Sequence, residues 1–279
     1  MRKPLRIVVL SSRLPEDIWL INKISDVCDI EGIVLPKGDR FGEFGLFQVL
    51  MKTIRRSGPV ETVNQVLIYL YRLVFEGRRD EKEMKKIFAG KSYQQIEKDG
   101  IDTLYVEDIN AKEVQGFLQK KFYDLIVASG TSILKKNILE AAKCPIINLH
   151  PGLAPQYRGR YGSYWPIYNR EPELVGVTVH FVDQGIDTGA ILAQGRVEYN
   201  WNDYVKTVTF KQHKLGGDLM VECLQNFDVL SKNAYQKEGC PSKNYRTMGL
   251  SHYLKAKRWL KNNRRGQVIN KQPREAEHD

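Results

Sequence analysis

Two rhythms of apolar residues alternate along the chain. Short, almost unbroken apolar runs read as strands at Arg6–Leu10, Gly32–Leu35, Thr103–Val106, Asp124–Ala128, Ile146–Leu149, Gly176–Val182 and Ile191–Tyr199. Between them apolar positions recur at helical spacing, which predicts helices near Glu16–Cys28, Ala111–Lys121, Lys135–Lys143 and Asp203–Asn226. Strands that are apolar on both faces need cover on both faces, and the alternation with helices supplies it. The pattern is that of an α/β protein: a mostly parallel twisted sheet with helices on both faces. No internal repeat is evident.

One main unit is expected over residues 1–228, with a helical insertion at about 38–100 and a short basic C-terminal extension over 229–279. Within the insertion, Val63, Val66, Leu67, Leu70, Tyr71 and Val74 fall at helical spacing between Val60 and Phe75, and Gly77–Glu83 then turns strongly polar. Three uses are open to these helices. They bury their own apolar face on the body, they form a homodimer contact, or they lie on a membrane surface.

Composition narrows the class. The apolar and charged fractions of the 279 residues are ordinary for a globular protein. The run Leu5–Leu10 is too short for the apolar core of a signal peptide, and no stretch reaches the roughly 20 apolar residues of a membrane span, so a cytoplasmic location without a transmembrane segment is expected. Cys28, Cys144, Cys223 and Cys240 are scattered and read as reduced thiols, with neither disulfide nor metal-site spacing. The net charge is +10, and much of it gathers at Lys255–Lys261 around Trp259 and at Arg264 and Arg265. Electrostatic steering of small anionic substrates accounts for that excess as well as nucleic acid does, and nucleic acid ranks below a small-molecule partner. The segment after Gly266 reads as disordered.

Chemistry concentrates at two strand ends. Asn148 and His150 lie two apart at the end of the apolar run from Cys144, so they share a face. Asp183-Gln184-Gly185-Ile186-Asp187-Thr188-Gly189 follows another strand and presents Asp187 on a loop. In an open α/β sheet the carboxyl ends of strands border the ligand crevice, where two such loops can meet. An amide that donates to a developing oxyanion, an imidazole that titrates near neutrality and a carboxylate form a set suited to moving an acyl group between amines.

At these residues, over roughly Tyr123–Val197, the chain resembles the folate-dependent formyltransferases: the methionyl-tRNA, glycinamide ribonucleotide and nucleotide-sugar enzymes. The resemblance implies a Rossmann-like fold, Asn148, His150 and Asp187 as catalytic residues, and 10-formyltetrahydrofolate as formyl donor with no metal. It implies that Ser132, Ile133 and Leu134, after the strand ending at Ala128, enclose the pteridine ring together with the loop of Asp183 and Gly185. It also places Tyr157, Arg158 and Gly159 near the acceptor, where Arg158 engages a phosphate or the folate tail. The division of proton transfer between His150, Asp187 and water is left open.

The departures bear on the acceptor. Ser11-Ser12-Arg13-Leu14-Pro15-Glu16-Asp17 holds no glycine and two acids, a poor cradle for the phosphate of glycinamide ribonucleotide, although Val179-His180-Phe181-Val182-Asp183 looks most like that branch. The tail after Phe227 is too short and too helical in pattern for the barrel of the tRNA enzymes. The expectation is a small primary amine, an amino-sugar nucleotide above all. The alternatives are methionyl-tRNA or glycinamide ribonucleotide as acceptor, a formyltetrahydrofolate hydrolase, and a non-catalytic folate- or RNA-binding protein.

Overall fold

A computed structural model describes residues 3–37, 54, 58–200, 203–262 and 268–269. Most of 38–57, Arg264, Arg265 and the chain end lie outside the described residues. The strands β1 (Arg6–Ser11), β2 (Asp29–Pro36), β3 (Asp102–Val106), β4 (Leu125–Ser129) and β5 (Ile146–His150) are parallel neighbours in the order β3-β2-β1-β4-β5. Two antiparallel strands, β7 (Gly176–Phe181) and β8 (Ile191–Arg196), complete a seven-stranded mixed sheet on the β5 side.

Alternation along the strands divides the core. Ile7 and Val9 of β1 and Leu125 and Val127 of β4 point to the side of helix α1 (Pro15–Ile24) and the long helix α7 (Val205–Gln225), where Trp19, Ile21, Leu219 and Met220 meet them. Val8, Leu10, Ile126 and Ala128 face the other side, against Val114, Phe117 and Leu118 of α4 (Lys112–Gln119) and Ile138 of α5 (Lys136–Ala141). The expected mostly parallel sheet with helices on both faces is what these layers form.

The insertion contributes α2 (Pro59–Phe75) and α3 (Gly77–Ile87). Buried Asp80 ties it to the body, receiving Arg72 and the Tyr204 hydroxyl at 2.6 Å each. Several boundaries differ from the sequence reading, β2 beginning at Asp29 and not Gly32 and α1 ending at Ile24 and not Cys28 among them. The strand expected over Ile191–Tyr199 breaks after Arg196, opposite Gly176 where β7 begins; Val197 still donates to the Val175 carbonyl, and Tyr199–Asn200 (β9) pairs instead with Val268–Ile269 (β11).

The chain after α7 is not a loose tail up to Asn262. Beyond the short helix α8 (Phe227–Lys232) it returns across the strand ends as an extended strap. Tyr235 bridges Ile191, and Asn244–Tyr245 (β10) pairs in parallel with Arg158–Gly159 (β6). Helix α9 (Leu250–Asn262) then packs on α2 and on α6 (Tyr164–Asn169).

Candidate active site

Pairing of β5 with β7 brings the expected residues to one sheet edge: Asn148 lies opposite His180, and His150 opposite Thr178. Both imidazoles are buried. Nε2 of His150 is 2.8 Å from the Tyr157 carbonyl, which can only accept, so Nε2 carries a proton. Its Nδ1 lies 3.4 Å from Asp187 Oδ2 and is the nitrogen left to gain or lose a proton. His180 is oriented by the same logic: Nδ1 donates to the Phe181 carbonyl at 2.7 Å. Its Nε2 then accepts from Asn148 Nδ2 at 3.2 Å and stands 3.5 Å from Asp187 Oδ1. This sets which end of the Asn148 amide is the NH2 group and leaves its second N–H for a ligand.

Asp187 is the shared vertex, and its backbone is held in the left-handed region at φ 51°. Asp tolerates this conformation better than most residues. The Gly159 N–H donates to Oδ2 at 2.8 Å, and Arg158 donates to the Ile186 carbonyl at 2.8 Å. Burial works against the charge of the Asp187 carboxyl, but the neighbouring His150 and the Gly159 N–H favour it, and its pKa falls well below the ordinary carboxylate value. Gly152 is required beside it. A β-carbon there would lie 2.4 Å from the Tyr157 carbonyl and 2.5 Å from His150 Nε2, between the imidazole and its acceptor.

The remaining expected residues fall as follows. Ser132, Ile133 and Leu134 lie in the irregular segment between β4 and α5; Ile133 is exposed, whereas the Leu134 side chain belongs to the core. Asp183 accepts from the Gly185 N–H at 2.9 Å and the Thr188 hydroxyl at 2.7 Å, which shapes the loop carrying Asp187. Tyr157 calls for a correction. Its ring is buried, stacks on Tyr245 at 4.9 Å and gives its hydroxyl to Glu171, so its side chain has no surface for an acceptor. It serves the site through its carbonyl. A cavity of about 290 Å³ abuts Asp187, lined by Arg158, Thr188, Lys237 and Cys240 among others. Among the described residues, no group of His, Cys, Asp and Glu is arranged to hold a metal ion.

Sequence reasoning missed His180 and the strap. His180 had a findable signal, since Thr178 and His180 alternate along β7 on the face that an antiparallel neighbour ending in Asn148-Leu149-His150 must meet. The strap had none, because a two-residue strand pair leaves no periodicity.

Comparison with known proteins places this geometry. A family model described as formyl transferase matches residues 73–224, more than half of the chain. The methionyl-tRNA formyltransferase of Thermodesulfovibrio yellowstonii is 39% identical over 102 residues, which is 37% of this chain and 32% of that protein. The chain thus matches about a third of the length of that curated relative. Among solved structures, phosphoribosylglycinamide formyltransferase from Bacillus halodurans superposes with a TM-score of 0.53 at 20% identity, covering 83% of this chain and 100% of that one. An N-formyltransferase from Helicobacter canadensis, in complex with folinic acid and dTDP-3-aminofucose, gives 0.52 at 15% identity over 91% of this chain and 80% of that one.

Proposed function

This chain belongs to the formyl transferase family, and from that footing we propose that it moves a formyl group from 10-formyltetrahydrofolate to the primary amine of a small acceptor, an amino-sugar nucleotide. The observation that carries the reading is the convergence of Asn148, His150 and Asp187, with His180, on one strand-end edge.

In this reading Asn148 donates its remaining N–H to the formyl oxygen as negative charge develops there. Losing one such donor typically costs about 2.7–4 kcal/mol of transition-state stabilisation. His150 takes the proton of the attacking amine at Nδ1, the adjacent Asp187 carboxylate stabilises the imidazolium that forms, and the proton passes to N10 of the departing tetrahydrofolate as the formyl C–N bond breaks. Ser132–Leu134 and the Asp183–Asp187 loop hold the donor, with the exposed Ile133 as apolar contact, and Arg158 and Gly159 border the acceptor side.

Asp17 supports an acceptor without the phosphate of glycinamide ribonucleotide at the β1 loop. Its buried carboxylate accepts from the Ser12 hydroxyl at 2.5 Å and the Ser129 hydroxyl at 2.7 Å and fills the space above Gly130. Burial raises the pKa of this carboxyl, so its bulk beside Gly130, not its charge, stands against a phosphate. Methionyl-tRNA remains the second reading, favoured by the names of the curated relatives and by the cation-rich α9.

The test incubates the protein and 10-formyltetrahydrofolate with amino-sugar nucleotides differing in amine position, glycinamide ribonucleotide and methionyl-tRNA. Mass spectrometry then follows the gain of one formyl group. Formylation of a sugar nucleotide that is lost in His150→Ala is expected. Formylation of methionyl-tRNA alone would overturn the acceptor, and folate consumption without any formylated amine would show a hydrolase.

A further inference from the structure

Helix α2 lays a long apolar ridge open to solvent. Val60, Val63, Leu67, Leu70 and Val74 follow one another at spacings of three and four residues, so they share one face. All five are exposed, from 43% at Leu67 to 73% at Val60, and Leu73 and Phe75 widen the ridge at its C-terminal end. The other side of α2 is committed to the body, where Ile68 is buried and Arg72 pairs with Asp80, while Tyr71 at the edge of the ridge meets α9. A contiguous exposed apolar surface of this kind marks an interaction site.

The flanks identify the partner by charge. Helix α9 runs beside α2, with Gly249 near Asn64, and with the Tyr253 ring and Lys257 ammonium against Tyr71. Continuing round α9 from Lys257 at about 100° per residue, Lys261, Leu254 and Arg258 come next on the solvent side. The helix carries four cations and no acid. At the other end of the ridge, α3 exposes Arg78, Lys82, Lys85 and Lys86; of its three acids Asp80 is buried, Glu81 is paired with Lys85 and Glu83 is half-buried. An apolar ridge between cationic flanks is the arrangement that binds an anionic lipid surface, where apolar insertion and headgroup attraction add. A second copy of this chain suits it poorly, because a two-fold contact through the ridge sets cationic flanks against cationic flanks. Among the described residues no helix, α2 included, is long and apolar enough to span a bilayer.

We propose that α2, with α3 and α9 at its edges, docks the protein flat on the surface of an anionic bilayer. The inference does not depend on the reaction assigned above. It is tested by flotation of the purified full chain with vesicles of phosphatidylcholine, alone and with about a third phosphatidylglycerol, at low and high salt. Binding that requires phosphatidylglycerol and weakens with salt is expected. Leu67→Glu with Leu70→Glu lowers the partition at least about tenfold. Neutralising the exposed cations, with Lys255→Gln, Arg258→Gln and Lys261→Gln, lowers it about fivefold per charge and does not depend on the apolar variant folding. Absence of wild-type flotation, or flotation that neither set of variants reduces, overturns the proposal. So does light scattering that shows a stable dimer which Leu67→Glu dissociates, since the ridge would then be a subunit contact.

Discussion

Replacing His180 by leucine tests whether the Asn148 amide is held or merely present. His180 Nε2 accepts from Asn148 Nδ2 at 3.2 Å, and its own Nδ1 is anchored on the Phe181 carbonyl at 2.7 Å. A neutral hydrogen bond of that length is worth about 1 kcal/mol net, so releasing the amide should let it leave its productive orientation and lower kcat about fivefold. Asn148→Ala removes the donor outright and should lower kcat about a hundred- to a thousandfold. If His180 acts only by positioning, kcat and kcat/KM fall together, because the contact matters in the transition state and not in substrate binding. His180→Gln, whose carbonyl can accept from Asn148, should recover part of the loss. In the Asn148→Ala background His180→Leu should then cost almost nothing, the signature of a coupled pair in a double-mutant cycle. The substitution also takes the donor from the half-buried Phe181 carbonyl, a stability cost of about 1 kcal/mol that a thermal melt would reveal separately. The reasoning is refuted if His180→Leu equals Asn148→Ala in severity, which would make His180 a reacting group, or if the two losses add fully in the double variant.

Three further outcomes follow from the geometry. Gly152→Ala should abolish formyl transfer while leaving most of the fold, since its β-carbon falls between His150 and the Tyr157 carbonyl; activity near wild type would mean that contact is dispensable. Burial opposes the charge of Glu16, but Lys206 and His213 more than offset it and hold its pKa at about 2, against an ordinary value of 4.5. Its contribution, on the order of 3 kcal/mol at most, is therefore present above the ordinary value and lost as pH falls toward the folded one. Glu16→Gln should flatten urea stability across that window, and an unchanged slope would refute the pairing. Finally, burial raises the pKa of Cys28 and Cys223 to about 12 and of Cys144 to about 11, so a limiting alkylating reagent at mildly alkaline pH should label Cys240 first, as found by peptide mapping.

How much of this was legible before the coordinates depends on which physical signal each part leaves in the sequence. The central strands were readable because burial on both faces forces continuous apolar runs, and all five residues of Leu125–Ser129 are buried. The direction of β7 was not, since an antiparallel strand buried on both faces has the same composition as a parallel one. The break between Arg196 and Tyr199 was hidden for a related reason: Val197 and Tyr199 are buried, so the apolar rhythm continues while the hydrogen-bonding partner changes.

The candidate site divides along the same line. Asn148, His150 and Asp187 could be picked out because their chemistry is unusual at strand ends, and their spacing alone places two of them on one face. What holds them is mostly backbone: the Tyr157 carbonyl under His150, the Gly159 N–H on Asp187, and the Phe181 carbonyl behind His180. Every residue owns such groups, so no residue type signals them. The strap works in the same way, through Arg158 N–H on the Lys243 carbonyl and Arg160 N–H on the Tyr245 carbonyl, and Tyr245 adds side-chain anchors by stacking on Tyr157, meeting Trp165 and accepting from Asn169. Because the strap closes on the two residues that hold the Asp187 loop, a break at Tyr245 is transmitted to Gly159 and then to the carboxylate. Tyr245→Ala should therefore lower kcat through loss of Asp187 alignment, at a stability cost of its two ring contacts with Tyr157 and Trp165, about 0.5–1.5 kcal/mol each, plus lost burial. If stability falls by that amount and kcat holds, the strap is a brace for the fold and the site keeps its geometry without it.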